Sequence, residues 1–171
     1  AYVDKKEVDE PLIRDESAGL IHSNVLDMAR YLHFYLGRGE VEGTRVASEK
    51  SILNMKTNAV EDLVLKTGSS WGYGLYSNPK KLIKGEDSTT AILIGHGGDT
   101  WAFHADFAYL PEQGVGAVIL TNTDKGGRIA SARKLLTLYL KEAKGIEMKS
   151  QPKDEKEANP EDKPCTPAEV K

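Results

Sequence analysis

Three glycines fall within four positions around a single histidine in Ile94-Gly95-His96-Gly97-Gly98-Asp99-Thr100. Glycine allows backbone to approach a ligand that side chains would hold away. Amides exposed in such a stretch can donate to a developing oxyanion, a task worth about 10²–10³-fold in rate per donor. Taken alone, the same letters also suit a structural bend with a packing histidine, leading into the next strand.

The other histidines offer less chemistry. His22 and His33 flank and enter a helical segment, while His96 and His104 stand eight residues apart. No His-Glu-x-x-His or similar ligand spacing occurs, so a metal-dependent hydrolase is not indicated. His104 and Asp106 would share one strand face and are expected to pair at the surface. The lone Cys165 excludes an intrachain disulfide framework and any multi-cysteine zinc site.

The glycine-histidine stretch needs a scaffold, and the pattern supplies one. Residues 1–16 read as an irregular lead-in punctuated by Pro11. Asn24–Leu36 puts Val25, Met28, Ala29, Leu32, Tyr35 and Leu36 on one helical face, with Ser23 or Asn24 as cap and Gly37 or Gly39 as stop. Ser48 or Ser51 opens a second helix bearing Ile52, Leu53 and Met55. Trp71–Tyr76, Thr89–Ile94 and Trp101–Tyr109 read as strands. A turn at Pro111-Glu112-Gln113-Gly114 returns into Val115–Leu120, an apolar strand expected at the centre. Strands joined so tightly must be antiparallel neighbours. Ile129–Leu140 is an amphipathic helix able to close over the sheet. The expected organisation is a body over residues 1–148 and a disordered charged tail over 149–171, where almost nothing is apolar. The fold class is α+β: helices, an antiparallel sheet, then a closing helix.

Composition excludes several partners. Of 171 residues, 39% are hydrophobic and 29% charged, ordinary for a globular chain long enough to build a core. The net charge is −3, and the 23 basic residues are scattered without forming a stripe, which argues against nucleic acid. No apolar run approaches the ~18 residues of a membrane span. The polar start, Ala1–Pro11, shows no signal peptide.

Five segments then fall into a meaningful order: Ser17-Ala18-Gly19-Leu20-Ile21 with Asp27-Met28-Ala29-Arg30-Tyr31-Leu32, Trp71-Gly72-Tyr73-Gly74-Leu75, Gly95-His96-Gly97-Gly98, and Gly116–Asn122. This series, spanning about Ser17–Leu140, resembles the C-terminal half of the superfamily of class C β-lactamases, D-alanyl-D-alanine peptidases and related esterases. The resemblance implies a β-lactamase-like fold, an antiparallel sheet flanked by helices, with the N-terminal part of the fold missing. It implies no cofactor and no metal.

In that family a Lys-Thr-Gly triad lines the strand beside the nucleophile, and esterase and peptidase branches often carry His-x-Gly there. His96-Gly97-Gly98 is similar to that replacement. The resemblance then implies a catalytic role for His96 and for Asp99, whose amide would form half of an oxyanion hole. Gly97, Gly98 and Asn122 would bind substrate, Asn122 near a carboxylate; a strand-end cap suits Asn122 equally well. The family nucleophile, the serine of Ser-x-x-Lys, and a Tyr-x-Asn element would both lie upstream of Ser17. Look-alikes here do not serve. Ser131-Ala132-Arg133-Lys134 lies on the closing helix, and Ser77-Asn78-Pro79-Lys80 holds a proline in a strand context. With ten serines and seventeen lysines, about one such match arises by chance. Tyr76-Ser77-Asn78 falls in the wrong unit, and Lys66-Thr67-Gly68-Ser69 precedes the Trp71 segment when it should open the site strand.

The expected function is therefore a fragment of a serine hydrolase catalysing acyl transfer on an amide, ester or β-lactam, inactive by itself. Its partners would be a small-molecule or peptide substrate and the remaining part of its own domain. The rival is a non-catalytic domain that binds peptides or cell-wall fragments, and a third reading is an unrelated αβ domain with a chance glycine bend. Family resemblance favours the periplasm or secretion and leaves the cytoplasm open.

Overall fold

Four antiparallel strands joined by tight turns set the centre of the computed structural model, which describes residues 1–9, 18–19, 21–57, 60–61, 69–124 and 131–150. They are best placed by walking the chain. Short strands β1 (Tyr2–Val3) and β2 (Lys6–Glu7) pair near the start. Helix α1 (Val25–Leu36) follows, then the hairpin of β3 (Glu40–Val41) and β4 (Thr44–Arg45), helix α2 (Glu49–Thr57), and strands β5 (Val60–Glu61) and β6 (Ser70–Trp71). The long strands are β7 (Tyr76–Lys84), β8 (Asp87–Asp99), β9 (His104–Leu110) and β10 (Val115–Thr121). Helix α3 (Ala132–Lys144) and β11 (Glu147–Ser150) complete the order.

The main sheet runs β10-β9-β8-β7-β6-β5, every pairing antiparallel, with β11 added against β7. β6 and β11 share the outer edge of β7, β6 at Tyr76–Ser77 and β11 at Lys80–Ile83. Pro79 sits between those two pairings. Its missing N–H therefore falls where no strand asks for it, which is how a proline survives inside a long strand.

Helices cover both faces. On one, Ala132, Leu136 and Leu140 of α3, spaced by four, pack on Leu82, Leu93, Ala108, Leu110 and Met148. On the other, Leu32 and Tyr35 of α1 and Ile52 of α2 meet Leu75, Ile94, Phe107 and Tyr109. Adjacent residues Leu93 and Ile94 are both fully buried, each against a different layer. Burying a side chain of this size contributes about 1.5–3 kcal/mol.

Local chemistry starts the helices. Asn24, not Ser23, caps α1, its Oδ1 accepting from the amides of Leu26 at 3.0 Å and Asp27 at 3.1 Å. Ser48, not Ser51, caps α2, accepting from the Ser51 amide at 3.0 Å. The amide of Ala132 at the start of α3 donates to Asp106 Oδ2 of β9 at 2.8 Å.

Several expectations need correction. β10 lies at the edge of the described sheet, not its centre; it is apolar throughout because α1 and α3 cover its two faces, not because strands pair with both its edges. Trp71–Tyr76 is a hairpin turn joining β6 to β7, closed by the Gly72 amide on Leu75 O at 2.8 Å with Gly74 at φ +73°. β9 starts at His104, because Trp101 and Ala102 are spent in the turn before it. Val25 is 52% exposed, since α1 reaches the sheet only from its second turn. Lys149 and Ser150, expected in the tail, pair with Lys81 and Lys80 in the sheet. The remaining tail residues, Ser17, and Lys66-Thr67-Gly68 lie outside the described residues.

Candidate functional site

The glycine-histidine stretch is not a bend. Gly95–Asp99 continues β8 in register, and the chain turns only at Thr100–Phe103. β7 begins at Tyr76, opposite Gly95, so His96–Asp99 run past it. On the other side they pair with β9: His96 with Phe107, Gly97 with Asp106, Gly98 with Ala105, and Asp99 with His104. One edge of this segment thus faces no strand among the described residues.

Alternation decides which amides face that open edge. The Thr100 amide donates to Phe103 O at 2.9 Å, making those two a hydrogen-bonded pair. In an antiparallel ladder successive residues turn their backbone groups to opposite edges. Gly98 and His96 therefore turn toward β9, and Gly97 and Asp99 toward the open edge. The tight turn between Lys84 and Asp87 gives the same parity from the far end, since it sends Asp87, and with it Gly95, toward β7.

The glycines differ in why they are glycine. A Cβ on Gly95 would lie 2.2 Å from Phe107 O and 2.7 Å from the Tyr76 hydroxyl, so packing forbids it. A Cβ on Gly97 would meet Ala105 O at an ordinary 3.7 Å, and one on Gly98 would meet nothing within 4 Å. The fold demands only the first. At Gly97 and Gly98 the missing side chains leave unobstructed space along the strand.

His96 projects from the face that carries Ile94 and Phe107, and its ring stands 5.8 Å from the Trp71 ring, nearly perpendicular to it. Trp71 meets the Tyr76 ring in the same way at 5.9 Å. The phenol of Tyr76 is pushed up to about 12, first by burial and then by the Asp106 carboxylate, with the Arg133 guanidinium pulling the other way. Asn122 directly follows β10 with its side chain exposed; its carbonyl accepts from the Tyr2 amide at 2.9 Å. The register Asp99–His104–Thr121 puts Asn122 at the same end of the sheet as Asp99, about two strand spacings or ~9.5 Å away.

The structure thus brings His96, Gly97, Gly98, Asp99 and Asn122 to one end of one sheet, and puts the look-alikes on other elements. Ser131 starts α3 and Lys134 is exposed on it, while Ser77, Asn78 and Lys80 belong to β7. His104 does not pair with Asp106, whose carboxylate is taken by the Ala132 amide; its Nδ1 bonds Asp99. Trp71 beside His96 and His104 behind Asp99 are the neighbours that sequence reasoning missed. Locating the turn at Thr100–Phe103 would have found the second. A hollow of about 270 Å³ among Tyr35, Arg38, Glu49, Ile52 and Tyr109 lies toward the opposite end of the sheet, and no Ser, Thr, Cys or His lines it. No cluster of His, Cys, Asp or Glu able to hold a metal, and no helix long and apolar enough to cross a membrane, occurs among the described residues.

Comparison with known proteins agrees with this architecture. The family model described as Beta-lactamase matches residues 1–142. Among solved structures, the octameric penicillin-binding protein homologue from Pyrococcus abyssi is similar, with 28% sequence identity and a TM-score of 0.55. That match covers 69% of this chain and 24% of the other, so the chain spans about a quarter of that relative. A search of curated protein sequences finds no match.

Proposed function

Because the chain belongs to the beta-lactamase family, we propose that it forms the substrate-strand wall of a serine hydrolase that works through an acyl-serine intermediate on an amide, ester or β-lactam. One observation carries this reading: the amides of Gly97 and Asp99 face an open strand edge in front of glycines that leave it unobstructed. An extended acyl donor can lie along that edge by strand addition, with main-chain hydrogen bonds fixing its register.

In this mechanism the nucleophilic serine and its lysine and tyrosine come from a segment outside this chain. The serine oxygen attacks the acyl carbonyl, and its proton passes to the lysine–tyrosine pair. The carbonyl oxygen, now an oxyanion, takes a hydrogen bond from the Asp99 amide, the interaction that strengthens as charge develops. His96 contacts the acyl carbonyl or a substrate carboxylate, and Asn122 meets a carboxylate from the β10 side. Collapse expels the amine or alcohol as the lysine–tyrosine pair returns the proton to the departing nitrogen or oxygen, and water, giving its proton to the same pair, then releases the acyl group. The lysine ammonium of the family triad is a compact point charge suited to a β-lactam carboxylate, and an imidazole offers only a ring N–H or lone pair in its place. Esters and small peptides therefore fit His96 better than β-lactams do.

The test is labelling by a fluorophosphonate probe. The longest natural translation product containing this chain is expected to label on a serine upstream of Ser17, and the 171-residue chain alone is expected not to label. Labelling or ester turnover by the chain alone, lost on Ser131→Ala, would overturn the assignment. Specific binding of peptidoglycan peptides by a protein that never labels would favour a non-catalytic binding domain instead.

A further inference from the structure

His104 occupies a position that neither the fold nor the proposed chemistry yet explains. Its side chain is 17% exposed, and its Nδ1 bonds a carboxylate oxygen of Asp99, whose own side chain is 75% exposed. A carboxylate oxygen accepts, so Nδ1 of His104 carries the hydrogen of this bond. The ring's Nε2 is buried and has no hydrogen-bond partner; the Thr121 hydroxyl, in register directly across from His104, is also buried and unpartnered. Directly opposed side chains on neighbouring strands stand about 4.5–5.5 Å apart at Cβ, within reach of one rotation or one bridging water. Asp106, two residues further along β9, is committed to the Ala132 amide. Asp99, His104 and Thr121 therefore form one polar row across β8, β9 and β10.

The row answers two physical difficulties of the open edge. Asp99 is the last residue of β8 and follows two glycines, the least restricted backbone a strand can contain. An oxyanion donor works only when it is held in place before charge develops. A carboxylate on the same residue is also a repulsive neighbour for that charge. A hydrogen bond from His104 restrains the residue and draws its carboxylate out of the plane of the edge, toward the α3 face.

We propose that His104 is a positioning residue: it holds Asp99 so that its amide stays aimed along the open edge, in fixed relation to the Asn122 end of β10. This rests on the reading of that edge as the acyl-binding strand. The test uses His104→Leu, which removes the donor, and His104→Asn, whose amide nitrogen stands near the place of Nδ1. In the labelling-competent protein, His104→Leu is expected to lower the acylation kcat about tenfold with KM within about twofold, and His104→Asn to restore most of it. In the same protein, the ¹⁵N order parameter of the Asp99 amide is expected to fall from about 0.85 to below about 0.6 in His104→Leu and to recover in His104→Asn. Unchanged Asp99 order in His104→Leu overturns the proposal. So does an Asn variant no better than the Leu variant at matched melting temperature, or a mobile Asp99 with undiminished acylation. If the unsubstituted protein never labels, the acyl-transfer reading fails, and the order parameters alone decide whether His104 holds Asp99.

Discussion

Nδ1 of His104 donates to the carboxylate of Asp99 across the last pair of the β8–β9 ladder, next to the turn at Thr100–Phe103. Both residues lie at the end of the sheet where β8 outruns β7, so the hairpin that builds the open edge also steadies it. The core begins further along the same strands, from Ile94 on β8 and from Phe107 on β9. Stability and chemistry are thus carried by successive stretches of one strand, and substitutions should separate them.

Gly95 and Gly98 make that separation sharpest. Gly95→Ala drives a Cβ into Phe107 O and the Tyr76 hydroxyl, and is expected to destabilise the chain by about 1–3 kcal/mol. Gly98→Val meets open space and is expected to leave the melting temperature within a few degrees while abolishing acylation in the labelling-competent protein. Thermal melts paired with fluorophosphonate labelling decide it; a Gly98→Val protein that labels normally sinks the placement of the acyl group.

His96 and Lys66 divide the two possible site strands. His96→Ala should lower the acylation rate at least tenfold, whereas Lys66→Ala should leave it unchanged. The opposite pattern would move the site to the Lys66-Thr67-Gly68 segment and remove every residue assigned here.

The chain's C-terminal end should split into two energetic parts. Removing residues 151–171 is expected to leave the melting temperature unchanged, because that stretch has too little apolar surface to offset ordering at about 1–2 kcal/mol per residue. Met148→Ala should cost about 2–5 kcal/mol, since Met148 of β11 is 9% exposed and packs in the α3-side core. A melting temperature that drops several degrees on the truncation would mean the tail docks.

Alkaline titration should unfold the protein through its phenols. Burial holds Tyr35 and Tyr109 well above the usual tyrosine range and Tyr76 at about 12. Unfolded phenols ionise near pH ~10. Between about pH 10 and 12 the unfolded chain therefore binds fewer protons than the folded one, and stability present below about pH 10 is lost as pH rises. Each such group adds about 1.4 kcal/mol per pH unit to the slope. Lys80, lowered first by burial and then by Arg133, works in the opposite direction below its unfolded pKa of about 10.4. Denaturant midpoints followed from pH 9 to 12 with tyrosinate absorbance check the sign; a flat profile contradicts it.

Self-association is the last expectation. β10 presents an apolar edge touched, among the described residues, only near its end by the Tyr2–Thr123 bridge, and Leu138 and Trp101 are more than half exposed. Such an edge recruits other strands. Sedimentation of the 171-residue chain should show concentration-dependent dimers or larger species; a cooperatively melting monomer at all concentrations would refute this.

What the sequence determined by itself was local: the helical faces of α1 and α3, the turn at Pro111–Gly114, the antiparallel class that tight turns impose, and the motif order that marks the family. These rest on interactions within a few residues, where period and turn chemistry speak directly. Tertiary structure alone decided the rest. Apolar β10 reads as a central strand, yet it lies at an edge, because helices covering both faces leave the same letters as strands on both sides. His104 reads as a partner of Asp106, two residues along its own strand, yet its partner is Asp99 across the hairpin, because Asp106 is claimed by an amide of α3, twenty-six residues away in sequence. The open edge itself exists only because β7 stops at Tyr76 while β8 continues to Asp99. A difference in length between two paired strands is a property of their register, which no residue of either strand carries alone.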